Sequence, residues 1–284
     1  MSKLYFLTVN YNSTSLIKRL VKSINFGCGN DYQIVIINNS AEDKNIFDLN
    51  SEQTTIIEAK ENLGFGRACN LGLRWIIDHD KSAVVWLINP DAYFKVDAAN
   101  PLSTAIDFFK QHLSISILGT IVVDSEGNLT SAGGTFTPGT AALSIADSWS
   151  KDFQDYLLTD WVSGCSLLID LAKFEQVPQF DPRYFMYYED LDFCLRYSQQ
   201  GHQIAVTNQL KVFHDTSSIS DRNMFIKYQH ITKSYLIHIE KHGNLPTFIL
   251  TNIRMTLNTL RLIILKPQQG LGKLIGYINY WRTR

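Results

Sequence analysis

Ala83-Val84-Val85-Trp86-Leu87-Ile88-Asn89-Pro90-Asp91 is an unbroken apolar run closed by a polar triplet, and its reading decides the architecture. A run this short and this apolar, with no alternation, is a strand buried on both faces. Pro90 pushes the residue before it out of helical geometry, so the chain leaves the strand extended and Asp91 sits just beyond its carboxyl end. Upstream, Leu4-Tyr5-Phe6-Leu7-Thr8-Val9, the segment Gln33 to Asn38 and the segment Thr54 to Ala59 repeat the pattern. Between the first two, Ser13-Thr14 caps a stretch with Leu16, Ile17, Leu20, Val21 and Ile24 at helical spacing. Gly66 to Asp78 reads as a second helix. Strands alternating with helices imply βαβ units: an α/β fold with a mostly parallel central sheet and helices on both faces. Such sheets bind ligands beyond the carboxyl ends of their strands. Here those ends read Asn10-Tyr11-Asn12, Asn38-Asn39-Ser40 and Asn89-Pro90-Asp91. A turn supplies one polar end cheaply; three in succession point to a ligand.

Beyond Asp91 the alternation weakens. A helix is expected from about Ala98 to Gln111, a strand at Ile115 to Val123, and a hairpin turn at Asp124 to Asn128. Gly133-Gly134 and Pro138-Gly139 mark a loop-rich stretch to about Lys151. A strand follows at Ser166 to Asp170, a helix at Tyr187 to Gln200 closed by Gly201, and two short strands at His202 to Thr207 and Lys211 to Asp215.

With 284 residues, 45% apolar and 19% charged, the chain is long enough for one sizeable core with an appendage and is not a disordered polyelectrolyte. A formal charge of -1 leaves no basic footprint for nucleic acid. The opening MSKLYFLTVNYN is expected to be a strand and not a secretory leader. Cys28, Cys69, Cys165 and Cys194 are scattered, without CxxC pairs, and read as reduced thiols in a cytoplasmic protein. The even charge hides an asymmetry. From Lys241 to Arg284 there are seven basic residues and no Asp or Glu, leaving 19 basic against 27 acidic in the first 240. Arg254 and Arg261 share a helical face with Ile249, Leu250, Ile253, Leu257, Leu260 and Ile264, and Tyr277, Tyr280 and Trp281 follow. No run there reaches about 18 uncharged apolar residues, so an interfacial helix is expected and not a span. The competing expectation is packing on its own domain or in a homodimer.

Two places hold carboxylates suited to chemistry. Asp91 could ligate Mg²⁺ or Mn²⁺ beside phosphate oxygens, or merely cap its turn. In Glu189-Asp190-Leu191-Asp192, Asp192 is spaced to pair with Arg196 within its helix. Asp190 has no such partner and follows Tyr184, Phe185, Tyr187 and Tyr188, where partial desolvation would set the pKa of a general base. His214 closes an apolar strand and could ligate a metal. Asn62-Leu63-Gly64-Phe65-Gly66-Arg67 opens a helix in a Gly-rich turn that is neither GxGxxG nor a P-loop; free N–H groups with Arg67 could still hold a diphosphate.

Taken in order, these pieces resemble the family-two glycosyltransferases of GT-A fold, the group that includes bacterial rhamnosyltransferases. The resemblance covers Thr8 to about Ser218. It rests on Thr8-Val9-Asn10-Tyr11-Asn12, Asn38-Asn39-Ser40, Asn62-x-Gly64-Phe65 with Asn70-x-Gly72, and Asn89-Pro90-Asp91. It continues through Val162-Ser163-Gly164-Cys165, Phe180-Asp181, Phe185-Met186-Tyr187, Glu189-Asp190-x-Asp192, Arg196, Gly201 and His214.

The resemblance implies a GT-A (Rossmann-like) sheet with residues 1–97 as the nucleotide-sugar half and 98–220 as the acceptor and catalytic half; beyond its reach, the charge and apolar pattern make 221–284 a basic amphipathic helical tail. It implies donor contacts from Thr8, Asn10, Asn12, Asn38, Asn62, Gly64, Arg67, Asn70, Asn89 and Asp91. The acceptor pocket would include Trp161, Gly164, Cys165 and Tyr188. A divalent cation would sit on Asp91 and His214, with Asp190 as base beside Glu189. The family's usual second-strand Asp is Asn38 here, and its Asp-x-Asp metal motif is Asn89-Pro90-Asp91, so one carboxylate serves the ion. The implied activity is inverting transfer of rhamnose, or another hexose, from a dTDP- or UDP-linked donor to a glycan or lipid-linked glycan. Its implied setting is cell-surface polysaccharide synthesis in the cytoplasm, at the inner face of the plasma membrane. The competing classes are a sugar nucleotidyltransferase, which lacks its Gly-rich basic loop here, and a non-catalytic sugar-nucleotide or glycan binder.

Overall fold

The computed structural model describes residues 3–27, 31–95, 100–146, 155–215 and 223–284. Cys28, Ala98, Lys151, Ser218 and the expected boundaries after residues 97 and 220 lie outside them. The chain runs β1 (Leu4–Asn10), α1 (Thr14–Gly27), β2 (Tyr32–Asn38), a 3₁₀ turn, β3 (Thr54–Glu58), α2 (Phe65–His79), β4 (Val84–Ile88), β5 (Ala92–Tyr93) and α3 (Pro101–Gln111). It continues through β6 (Ile115–Val123), β7 (Leu129–Ser131), β8 (Gly134–Thr137), β9 (Ala142–Ile145), β10 (Tyr156–Leu158) and β11 (Ser166–Asp170). It closes with α4 (Glu189–Gln199), β12 (Gln203–His214), α5 (Met224–His242), α6 (Leu245–Leu265) and α7 (Pro267–Thr283).

The main sheet is ordered β10-β12-β6-β11-β4-β1-β2-β3, with β5 and β7 added at β12 and β6. Strands β3, β2, β1 and β4 are mutually parallel, β11 runs against β4 and β6, and β12 returns parallel to β6. The sheet is thus mostly parallel, as the alternation implies, with one reversed strand at its centre. Successive residues of β1 alternate between two cores. Tyr5, Leu7 and Val9 join Cys69, Leu73 and Ile76 of α2, while Leu4 and Phe6 join Ile17, Leu20 and Ile24 of α1. That two-sided burial is why these runs are apolar throughout.

Three local expectations differ from the structure. The two short strands expected after Gly201 are one strand, β12, kept continuous by a register shift between Thr207 and Lys211. The loop-rich stretch contains the β8–β9 hairpin, whose Gly-rich start obscures a strand signal. Helix α4 begins only at Glu189, because Tyr187 and Tyr188 take positive φ of 71° and 67°.

The last three helices form a unit clamped to the sheet domain. Asp192, fully buried, accepts from Arg196 at 2.7 Å, as its spacing implies, and also from Lys241 at 2.6 Å and His242 at 3.0 Å. Lys241 reaches Asp181 as well, at 2.8 Å. Burial works against both carboxylates, but Arg183 and Lys241 at Asp181, and His242, Lys241 and Arg196 at Asp192, outweigh it and hold both below the ordinary carboxylate value. Gly272 and Gly276 seat α7 directly on α5, where a Cβ would fall 2.3 Å from the carbonyl oxygens of Phe225 and Gln229.

Removing one member of a buried ionic cluster leaves its partners uncompensated, at about 3–5 kcal/mol. Asp192→Ala should therefore lose about that much in urea unfolding. Because both carboxylates titrate below their unfolded values, their contribution is complete above about pH 4 and is lost as the pH falls through the depressed values. Asp192→Ala should accordingly show a shallower acid limb than the parent chain.

Candidate active site

The parallel strands end together at one edge of the sheet, and the polar triplets meet there. Asn10 and Asn38 are register partners at the ends of β1 and β2. Asn10 Nδ2 donates to Asn38 Oδ1 at 3.0 Å and to Asp43 Oδ2 at 3.1 Å, while its Oδ1 accepts from the Ser13 N–H at 3.0 Å. Asn10 thus ties β1, β2 and the start of α1 together. Asn38 Nδ2 and Thr8 Oγ1 are buried without a hydrogen-bond partner among the described residues. Unmet buried donors are costly, so a group brought in with a ligand would find them ready. Asn12 turns the chain at φ 49° with its N–H on Ser40 Oγ at 3.0 Å.

Asn39 does what sequence reading passed over. Its Oδ1 takes the Leu63 N–H at 2.8 Å and its Nδ2 donates to Asn62 Oδ1 at 3.0 Å, pinning the turn before α2. Asn62 Oδ1 also receives the Gly64 N–H at 3.0 Å. Gly64 has φ 76°, and a Cβ there would lie 2.2 Å from the Phe185 carbonyl oxygen, which accepts the Phe65 N–H at 2.9 Å. The glycine lets α2 start directly against the segment that carries Asp190. Arg67 is half-exposed on the first turn of α2, 3.6 Å from Glu61.

Two expected assignments need correction. Asn70 points at the chain and not at the strand ends: its amide donates to the Phe180 carbonyl at 2.9 Å and accepts the Phe180 N–H at 2.7 Å. Glu189 is buried at 6% exposure in the core, its Cβ close to Gly66 and its charge felt by Cys69. It lies one residue from the base candidate, yet a helix turns neighbours about 100° apart. Burial, with the Asp190 charge beside it, pushes Glu189 up to about 8.

The chemistry-bearing groups gather around Gly164 and Cys165. The Gly164 N–H donates to Asp190 Oδ2 at 2.9 Å, and the Leu191 N–H to Asp190 Oδ1 at 2.8 Å. Burial raises the Asp190 pKa, and these donors with the Trp161 side chain restrain the rise. One residue on, the Cys165 carbonyl accepts the Asn89 N–H at 2.9 Å, and the thiol lies beside His214. His214 closes β12 and places Nε2 3.0 Å from Asp91 Oδ1, with Asn89 Nδ2 3.5 Å away. Burial disfavours the charged imidazole, but Asp91 and Cys165 outweigh it and lift His214 to about 10. Cys165 feels the charges of both Asp91 and Asp190, so the two carboxylates flank it. Cys69, Cys165 and Cys194 are free thiols, as their scatter implies.

Tyr188 caps α4 and stacks on His238 of α5 at 5.2 Å. Arg19 of α1 was not foreseen: it donates to the Asp91 carbonyl at 3.0 Å and to Asp215 at 2.6 Å, contacts 72 and 196 residues apart that no local pattern signals. Among the described residues no cluster of three or more His, Cys, Asp or Glu could hold a metal alone. A carboxylate and an imidazole nitrogen 3.0 Å apart nonetheless fit an ion that takes its remaining ligands from phosphate oxygens. A surface cavity of about 850 Å³ lined by Arg74, Phe174 and Tyr197 includes none of these groups and opens at the opposite edge of the sheet, beside Leu171 and Ala172 after β11.

A mixed sheet with one reversed central strand and a carboxylate site at its parallel strand ends defines a GT-A glycosyltransferase, and the comparisons agree. Residues 5–159 match the family model "Glycosyl transferase family 2", and the chain belongs to that family. It is 24% identical over 217 residues to the low-salt glycan biosynthesis hexosyltransferase of Haloferax volcanii, covering 76% of this chain and 68% of that one. It is 37% identical over 57 residues to the rhamnosyltransferase WbbL of Escherichia coli, covering 20% of this chain and 22% of that one. A Mycobacterium tuberculosis N-acetylglucosaminyl-diphospho-decaprenol L-rhamnosyltransferase is 31% identical over 84 residues, covering 29% of this chain and 27% of that one. The last two alignments thus span about a quarter of those relatives. In fold the chain is similar to GalNAc-T7 solved with UDP, GalNAc and Mn²⁺, at TM-score 0.62 and 14% identity, covering 84% of this chain and 48% of that one. It is also similar to the mannosyltransferase PcManGT of Pyrobaculum calidifontis with GDP-Man and Mn²⁺, at TM-score 0.54 and 11% identity, covering 99% and 88%. The protein is a glycosyltransferase.

Glu189 titrates higher in the folded chain than unfolded, so folding retains a proton between its ordinary 4.5 and about 8. Its contribution is intact below about pH 4.5 and is lost as the pH rises toward 8. Glu189→Gln should flatten the decline of melting temperature with pH across that window, read by thermal scans at fixed ionic strength.

Proposed function

We propose that the enzyme is an inverting hexosyltransferase that moves a sugar, rhamnose in the first instance, from a dTDP- or UDP-linked diphosphate donor. The acceptor is a hydroxyl of a glycan or lipid-linked glycan in cell-surface polysaccharide synthesis, and the reaction takes place in the cytoplasm. The observation that carries the reading is the backbone of Gly164-Cys165, which touches the Asp190 carboxylate at one residue and the Asn89–Asp91–His214 group at the next. A base and a phosphate-side group on one rigid loop suit a displacement with attack and departure on opposite faces of a sugar.

Asp190 Oδ1 or Oδ2 takes the proton of the acceptor hydroxyl as its oxygen bonds to the anomeric carbon and the bond to the diphosphate breaks. The Gly164 and Leu191 N–H groups hold that carboxylate in place. Desolvation raises its affinity for a proton, which suits a base working near neutrality. Asp91 and His214 would hold a divalent cation, which when bound neutralises charge on the departing diphosphate. Arg67 and the N–H groups at the start of α2 add positive potential on the same side. Asn38 Nδ2, still lacking a partner, is suited to a base carbonyl of uracil or thymine. The rhamnosyltransferase names among the relatives support the donor sugar, and the decaprenol-linked substrate named in one of them supports a lipid-linked acceptor. The Mn²⁺ in the titles of two similar structures supports a divalent ion.

General-base help is typically worth about 10²–10⁴-fold. Asp190→Asn should lose turnover by about that factor while keeping the donor-induced thermal shift, and near-normal transfer would remove Asp190 as base. In a panel of sugar nucleotides with Mn²⁺ or Mg²⁺, a donor at a hundred times its dissociation constant should stabilise the parent by about 2.7 kcal/mol. Asp91→Ala should lose the metal-dependent part of that shift. A panel without any shift on folded protein would overturn the donor class.

A further inference from the structure

Helix α6 carries a large apolar surface that its own domain does not cover. It is the one described helix long and apolar enough to cross a bilayer, with mean hydropathy 1.3, yet only 11% of its apolar window is buried. Only Met255 and Thr259 of this helix are buried. Ile249, Leu250, Ile253, Leu257, Leu260 and Ile264 are exposed, Ile264 at 80%. At about 100° per residue these six fall within an arc of about 100°, and Arg261 and Arg254 border it within about 40°. Met255 and Thr259, which face the protein, lie well outside that arc. The helix therefore has an apolar face with a basic margin and a separate, narrow seam to the fold.

The charge around that face has one sign. Nothing from Lys241 to Arg284 is acidic, and among the described residues Arg254, Arg261, Lys266 and Arg282 form no ion pair. Lys241 and Arg284, the two basic residues of the segment that are paired, bind carboxylates outside it. An apolar stripe bordered by uncompensated arginines complements an anionic lipid surface, whereas a protein partner of that shape would need an acidic margin of its own.

Both ends of α6 are fixed to the same body. Its start follows the Gly139–Gly243 bridge, with the Asn244 N–H on the Gly139 carbonyl at 2.8 Å. At its end Pro267 begins α7 at once, which packs back on α5, and Tyr277 Oη donates to Asn252 at 3.0 Å. A helix tethered this way at both ends lies along a surface and does not cross it. We propose that α6 lies in the headgroup plane of an anionic bilayer, with its Ile249–Ile264 face in the acyl boundary and Arg254 and Arg261 among the phosphates.

The test is co-sedimentation of the full chain with phosphatidylglycerol-containing or pure phosphatidylcholine vesicles, without donor or acceptor, so that it stands apart from the transfer reaction. Binding is expected to the anionic vesicles and to weaken as salt rises. Ile253→Glu with Leu257→Glu in one chain should abolish it without lowering the melting temperature, since both side chains are exposed. Arg254→Gln with Arg261→Gln should weaken it by roughly five-fold per charge. No binding at low salt, or binding indifferent to the two glutamates, overturns the proposal. So does a parent chain that ignores vesicles and sediments as a dimer while the two-glutamate variant is monomeric, which assigns the face to a second copy.

Discussion

The site depends on the backbone of two adjacent residues, Gly164 and Cys165. The Gly164 N–H reaches Asp190 and the Cys165 carbonyl reaches the Asn89 N–H, so a single loop before β11 fixes the distance between the Asp190 carboxylate and the Asp91–His214 pair. That loop is itself held by β11, the reversed strand wedged between β4 and β6. Reversal matters because β11 begins where β4 ends. The turn leading into it therefore arrives at the carboxyl edge of the sheet, beside Asp91. A parallel strand in its place would have delivered its carboxyl end there, with a loop leading away from the site.

The last helices are part of this constraint. Phe185 stacks on His230 at 4.4 Å, the Ser234 hydroxyl donates to the Met186 carbonyl at 2.8 Å, and Tyr188 stacks on His238. Helix α5 thus braces every turn of the segment that ends in Asp190. Two positive-φ tyrosines are strained in that segment, and such strain persists only where surrounding contacts over-determine it. The Asp192–Lys241–His242 cluster supplies the anchorage. Hence the basic excess of the tail is divided: Lys241 belongs to the fold, while the arginines of α6 do not.

Much of the sheet was legible because a two-sided strand must be apolar at every position, and β1, β2, β3 and β4 were read at close to their observed ends. The carboxyl-edge triplets were legible for the same reason, since a polar cluster stands out at the end of a run that is apolar on both faces. What escaped was whatever depends on contacts remote in sequence. Asn70 and Asn38 look alike as residues, yet one meets Phe180 and the other a strand end. Arg19 touches Asp91 from a helix whose periodicity describes only its apolar side. Glu189 and Asp190 are adjacent carboxylates, and only the rotation of α4 against Gly66 separates a core residue from one held by the Gly164 N–H. Gly272 and Gly276 of α7 carry no local signal of the flat contact they make with α5.

Asn89 in place of a second carboxylate becomes intelligible from the charges around it. Glu189, raised to about 8, is mostly neutral at pH 7, so Asp190 and Asp91 are the negative groups flanking Cys165. His214 hydrogen-bonds Asp91 directly. A further aspartate 3.5 Å from that ring would add another negative charge beside Asp91. Asparagine keeps a hydrogen-bonding group at the strand end without that repulsion. Its backbone N–H also remains committed to Cys165, so the same residue that spares the charge holds the two halves of the site together.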